Sequence, residues 1–244
     1  MILSHKHQLI FMKPRKVAGT SFEIALSQFC GPKDILTPIS TKDEKNRTLR
    51  GGPGAQNFQK PLGRVFSAGS FEDIRHGRWP REYYNHMTAR EVRDAIGQEI
   101  WDSYFKISIV RNPWDSAVSR FYWRPNRQPL PESDFESWCV QSEDFQNNHP
   151  IYMLEEKSSI DYFLRFENFE ADTRELERQR PELSGLWDSF SSIHAKGGIR
   201  PQKATAANLF AKAPAADAVI REACRFEIET FNYQLDLPSS DPNR

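Results

Sequence analysis

Cysteine is scarce in this chain and neither sign of charge dominates it. Cys30, Cys139 and Cys224 stand far apart in apolar stretches. With no CxxC pair, neither a disulfide framework nor a zinc site is indicated, and core thiols in a reducing compartment are expected. Lysine plus arginine and aspartate plus glutamate number 33 each, for a net charge of +0. That balance removes the bulk field by which a protein gathers nucleic acid, so any anion must be held by local geometry. Long apolar runs are also missing. The short run Leu9–Met12 closes at Lys13-Pro14-Arg15, too short for a signal or a membrane anchor, and a cytoplasmic protein without a membrane span is expected. What remains is an ordinary globular composition, 38 % apolar and 27 % charged, in 244 residues, a size that one α/β domain can fill.

Leu9–Met12 is short and wholly apolar, as a buried parallel strand is. After Gly19-Thr20-Ser21 come Phe22, Ala25, Leu26 and Phe29 at helical spacing, and Gly31-Pro32 ends the pattern. The opening therefore reads strand, glycine turn, helix. From 40 to 62 the sequence is polar and holds Gly51-Gly52-Pro53-Gly54, which predicts a long surface loop. Thr88 with Glu91 three residues on predicts a capped helix from Thr88 to Ile96. Tyr104–Val110 predicts a strand that runs into Arg111-Asn112-Pro113, where Asn112 caps a helix and Pro113 takes its first position.

In that helix Trp114, Ala117, Val118 and Phe121 form the apolar stripe, while Asp115, Ser116 and Ser119 lie elsewhere. A proline-rich loop over Arg124–Ser133, a helix around Phe135–Val140, a strand Asp161–Phe166 and a charged helix Glu170–Arg178 follow. His194–Lys203 reads as a loop carrying Lys196, Arg200 and Lys203. A last helix from Pro214 presents Ile220, Cys224, Ile228 and Phe231. Alternating strands and helices, with no repeat and no linker, predict one α/β domain over residues 1–244 around a mainly parallel sheet flanked by helices.

Two segments carry anion-binding chemistry. In Lys13-Pro-Arg15-Lys16-Val-Ala-Gly19-Thr20-Ser21, glycine after a strand admits an anion to the backbone and the helix start offers free N–H groups. Lys16 adds a mobile charge, and Thr20 and Ser21 add hydroxyl donors. A nucleotide-triphosphate loop needs lysine after its second glycine; here the lysine precedes the glycine, and the magnesium-binding Lys-Ser/Thr pair is missing. In Val110–Ser119, Arg111 ends a strand, where open α/β sheets place ligands, and Ser119 lies about two helical turns on. An arginine fork and a hydroxyl so placed suit one terminal phosphate; an arginine paired with a carboxylate is the plainer alternative.

In order and spacing the two segments resemble the sulfotransferase superfamily, above all the bacterial relatives of carbohydrate sulfotransferases of the uronosyl 2-O type. The likeness extends to Tyr84-Asn85-His86-Met87, to Phe163–Asn168 and to the ending Glu227–Tyr233. It spans nearly the whole chain and is weakest over Ser40–Gly69 and Arg124–Ile160. Many relatives carry a second glycine where Ala18 stands, and alanine there points to a helical or extended backbone rather than a left-handed one.

The resemblance implies sulfuryl transfer from 3′-phosphoadenosine 5′-phosphosulfate, without metal, to a hydroxyl acceptor such as a saccharide or glycan. Adenosine 3′,5′-bisphosphate would be the product. Arg15, Lys16, Gly19, Thr20 and Ser21 would hold the 5′-phosphosulfate in a P-loop-like strand–loop–helix, Arg111 and Ser119 the 3′-phosphate, and Arg200 and Lys203 would close over the donor. Lys16 would stabilise the leaving oxygen. Chemistry alone does not choose a base among the six histidines; the resemblance points to His86, with His5 and His7 as tail residues and His76, His149 and His194 as loop residues. Arg120, Arg124 and Arg127 would face an anionic acceptor or solvent, and Tyr122 and Trp123 a sugar ring or the core. Two other readings are a nucleotide-dependent phosphotransferase and a non-catalytic nucleotide- or carbohydrate-binding module.

Overall fold

The computed structural model describes residues 1–62, 71–77, 79–123, 130–142, 145, 148–193, 200–201 and 203–235. The chain opens with strand β1 (Ile2–Ser4), β2 (Leu9–Phe11), helix α1 (Gly19–Ser27), β3 (Ile35–Leu36), α2 (Thr41–Leu49) and α3 (Phe71–Arg75). The middle runs through α4 (Ala89–Ile96), α5 (Gln98–Ser103), β4 (Phe105–Val110), α6 (Pro113–Tyr122), α7 (Phe135–Gln141) and α8 (His149–Tyr152). Then come β5 (Met153–Leu154), β6 (Lys157–Ser158), β7 (Tyr162–Arg165), α9 (Phe169–Gln179) and α10 (Leu186–Ser191). The last helices are α11 (Ala206–Phe210), α12 (Pro214–Ala223) and α13 (Arg225–Phe231). No helix among the described residues is long and apolar enough to cross a membrane.

Five strands form one sheet in the order β3-β1-β2-β4-β7. The β2–β4 and β4–β7 pairs are parallel, whereas β1 runs antiparallel to both its neighbours. The sheet is therefore mixed, a parallel core with one reversed strand, and not as uniformly parallel as the sequence suggested. Side chains alternate across it with the period of two that strands impose. Leu9, Phe11, Ile107 and Ile109 join Phe22, Ile24 and Leu176 on one side, under α1 and α9. Ile10 and Met12 join Val92, Trp101 and Tyr152 on the other, under α4, α5 and α8. A third cluster, Trp114, Val118, Phe121, Phe135, Phe210 and Ile220, binds α6 to α7, α11 and α12.

Several expectations are met. The capping box at Thr88 is formed in both directions, and Asn112 caps α6 through Trp114 N and Asp115 N with Pro113 at the first turn. Others need correction. The segment 40–62 is not all loop: Ser40 caps α2, whose Asp43 and Arg47 are buried. The final helix is two helices, because Cys224 leaves helical geometry at φ −118°, ψ 31°. The three thiols are free, with Cys139 and Cys224 buried and Cys30 half-buried; burial raises each to about 12. His5 and His7 lie in the β1–β2 turn and are not tail residues: His5 Nδ1 pairs with the Tyr104 hydroxyl at 2.7 Å and His7 Nε2 with the Phe29 carbonyl at 2.9 Å.

Candidate functional site

Because β2, β4 and β7 are parallel, the segments leaving their carboxyl ends share one edge of the sheet. The segment after β2 holds Lys13 to Ala18, that after β4 begins at Arg111, and that after β7 at Phe166. Sheet topology thus delivers both candidate anion-binding segments to one place, the edge where α/β sheets receive ligands.

The first segment is held in an uncommon shape. Lys16 (φ 65°) and Ala18 (φ 57°) both have left-handed backbone, which overturns the expectation for Ala18. The reason is local. The left-handed turn aims the Ala18 carbonyl into α1, where it accepts from Ser21 N (3.0 Å) and Phe22 N (3.2 Å). Alanine carries the smallest side chain that pays this penalty. Gly19 is closely flanked: a Cβ there would lie 3.1 Å from Lys13 Cγ and 3.4 Å from the Pro14 carbonyl oxygen, so a larger residue would need the Lys13 side chain to give by a few tenths of an ångström. The segment is also clamped from outside. Arg15 N donates to Asn148 Oδ1 (2.8 Å) and Asn148 Nδ2 donates to the Arg15 carbonyl (3.1 Å). Nothing in the sequence signalled Asn148.

The hydroxyls of Thr20, Ser21 and Ser119 make no hydrogen bond among the described residues, so they stand available as donors. The Lys16 ammonium rests 4.1 Å from the centre of the Trp123 ring, a cation–π contact that helps hold it near the loop. Trp123 therefore attends to Lys16. Arg15 is exposed.

Arg111 joins the two motifs. Its Nη1 donates to the Lys16 carbonyl at 2.9 Å, and its guanidinium stacks 4.1 Å over Phe166. Its Nε (2.7 Å) and Nη2 (2.5 Å) both meet Asp115 Oδ2. The plainer alternative, an arginine facing a carboxylate, is thus realised, yet these bonds use three of the five guanidinium donors and leave two. Asp115 Oδ1 meets Arg200 Nη1 at 2.5 Å. Burial alone would raise the Asp115 carboxyl, but Arg111 and Arg200 outweigh it and lower it. The structure brings Arg200 into this cluster and leaves Lys203 exposed outside it. Asp115 reaches back to Arg111 from the first turn of α6, across the Asn112 cap.

His86 sits in the turn before α4 with φ 65°. Its Nδ1 lies 2.9 Å from the Lys13 carbonyl. A carbonyl only accepts, so Nδ1 carries the proton and Nε2 keeps its lone pair. Burial lowers the imidazole to about 4, assisted by Arg15 and Lys13, against the Lys13 hydrogen bond that raises it. The result is a neutral histidine with one basic nitrogen unengaged among the described residues, hydrogen-bonded to the loop that carries Lys16.

The second motif also meets the chain's ending. Asn112 N donates to Glu167 Oε1 (2.6 Å), Tyr233 Oη donates to Glu167 Oε2 (2.9 Å), and Asn112 Nδ2 donates to the Gln234 carbonyl (3.0 Å). Arg120 does not face solvent: it is buried and, with Arg111, Asn148, Tyr152 and Glu227, lines a cavity of ≈ 20 Å³. Tyr122 donates to Glu132 Oε1 at 2.7 Å. His149 packs against Tyr152 and Phe226, and His76 is exposed in a turn. Arg124, Arg127, His194 and Lys196 lie outside the described residues. No family model, no curated protein and no solved structure matches this chain.

Proposed function

We propose that the chain is a sulfotransferase that moves a sulfuryl group from 3′-phosphoadenosine 5′-phosphosulfate to a hydroxyl acceptor, in keeping with the sequence resemblance. The observation that carries the reading is the Arg111–Lys16 hydrogen bond of 2.9 Å. It joins the two motifs that the resemblance assigns to the two ends of one donor nucleotide, beside a histidine with a free basic nitrogen. In this reading the loop is P-loop-like: the start of α1, Thr20 and Ser21 take the 5′-phosphate, while the remaining donors of Arg111 and the Ser119 hydroxyl take the 3′-phosphate.

The acceptor oxygen attacks sulfur in line and passes its proton to His86 Nε2. The bond from sulfur to the bridging oxygen breaks, and that oxygen leaves with the bisphosphate. Lys16 swings from Trp123 to neutralise the charge gathering there. A saccharide acceptor follows from the resemblance alone.

Incubation with donor labelled in its sulfur, in EDTA, with a panel of saccharides tests this. Label is expected on an acceptor with the wild type, and none with His86→Ala, which still binds the bisphosphate. The acid limb of kcat/KM for donor is expected near the free-enzyme His86 value of about 4, and that of kcat at higher pH, because a bound anion favours the imidazolium. Unchanged transfer by His86→Ala, or phosphoryl transfer from magnesium-ATP instead, contradicts the reading.

A further inference from the structure

Asp115 occupies a position that the two motifs do not explain. It lies in the first turn of α6 and offers one oxygen to each of two arginines from distant parts of the chain, Arg111 through Oδ2 and Arg200 through Oδ1. Among the described residues Arg200 is otherwise tied only to its own neighbourhood, its Nε donating to the Ala204 carbonyl at 2.5 Å. The Asp115 contact is therefore what fastens Arg200 to the sheet edge.

Two guanidiniums gathered at one spot repel each other, and a carboxylate between them offsets that repulsion. The cluster nonetheless keeps a net charge of one positive unit and spare hydrogen bonds. Arg111 has two uncommitted donors, and Arg200, with Nε and one Nη1 donor engaged, has three. Asp115 remains ionised, held so by the same two arginines, and is partly open to solvent at 29 % side-chain exposure. An anion arriving at Arg111 thus meets a second arginine already oriented.

We infer that Asp115 is a positioning residue that holds Arg111 and Arg200 as a pair, so that one phosphate of the ligand is met by both guanidiniums. The inference rests on the proposed function for the identity of that phosphate, the 3′-phosphate of the donor nucleotide. Asp115 itself touches no ligand in this arrangement; it acts through the arginines.

Calorimetric titration with adenosine 3′,5′-bisphosphate and with adenosine 5′-monophosphate separates the possibilities. Asp115→Asn and Arg200→Ala are each expected to weaken bisphosphate binding about tenfold, the scale of one charged hydrogen bond. The double variant is expected to lose no more than either single one, because the two act as a unit. Monophosphate binding is expected to stay the same throughout, which a general structural defect would not allow. Asp115→Glu, which keeps the charge, is expected to recover part of the loss and serves should the asparagine variant fold poorly. A wild type that prefers the bisphosphate, with Asp115→Asn binding it equally or more tightly, overturns the inference and leaves the function standing. So do losses in the two single variants that multiply in the double one. A wild type that does not prefer the bisphosphate overturns both.

Discussion

Glu23 and Asp115 are both carboxylates surrounded by cations, one wholly buried and the other 29 % exposed. Glu23, in α1, meets the Lys13 ammonium at 2.5 Å, the Met1 amino group at 3.0 Å and Arg47 Nη2 at 3.4 Å. Asn85 joins through its Oδ1, which accepts from Lys13 at 3.4 Å. Asp115 meets two arginines that keep donors to spare. The buried cluster is closed to ligands and fixes Lys13, whose carbonyl in turn orients His86. The exposed cluster fixes only the direction of its arginines. Burial sets the division of labour: a desolvated ion must be paired internally, whereas a guanidinium with part of its surface open can still offer donors to a ligand.

The largest effect that distinguishes the two clusters is on stability. Glu23→Gln leaves Lys13 and Arg47 buried without their anion, and is expected to cost about 3–5 kcal/mol in urea denaturation. A loss below about 1 kcal/mol, the range of exposed pairs, would mean that the cluster is solvated and the comparison false. Next comes pH. Burial alone would raise Glu23, but the Met1 amino group, Lys13 and Arg47 lower it from 4.5 to about 2. Its contribution is then present above pH 4.5 and lost as pH falls through about 2, amounting to about 3 kcal/mol. The Met1 amino group, lowered by burial from 8.0 to about 5, and His86, lowered from 6.5 to about 4, add losses of the same sign as pH falls from 8 towards 4. Stability measured against pH is expected to fall in both windows in the wild type and only in the upper one in Glu23→Gln.

Much of the frame around the site could be read from the sequence. The β2–loop–α1 unit, the Thr88 capping box and the β4–Asn112–Pro113 junction are written in local chemistry that needs no tertiary partner. The misses arose where tertiary contacts decide. The helix α2, Thr-Lys-Asp-Glu-Lys-Asn-Arg-Thr-Leu, has an exposed leucine and buries Asp43 and Arg47, so it reads as polar loop to any rule that seeks an apolar stripe. The strands β1 and β3, of three and two residues, are too short to show alternation. The break at Cys224 is hidden because Ile220, Cys224 and Ile228 keep a spacing of four through it. Of the candidate site, Lys16 and Arg111 were singled out by motif and His86 by the resemblance alone, while Asn148 was found only through its bonds to Arg15. Glu23 could have been noticed as a lone charge inside Phe22-Glu23-Ile24-Ala25-Leu26, since a charge so placed needs a buried partner.

The most direct measurement is calorimetric titration of the purified protein with adenosine 3′,5′-bisphosphate in EDTA, with ATP as comparison, repeated on Arg111→Ala. Metal-independent binding at one site is predicted, unmatched by ATP and weakened by about 1–3 kcal/mol when Arg111 is truncated, as for a charged hydrogen-bonding group. Absence of binding, or a preference for magnesium-ATP, would contradict the account and put a phosphotransferase in its place.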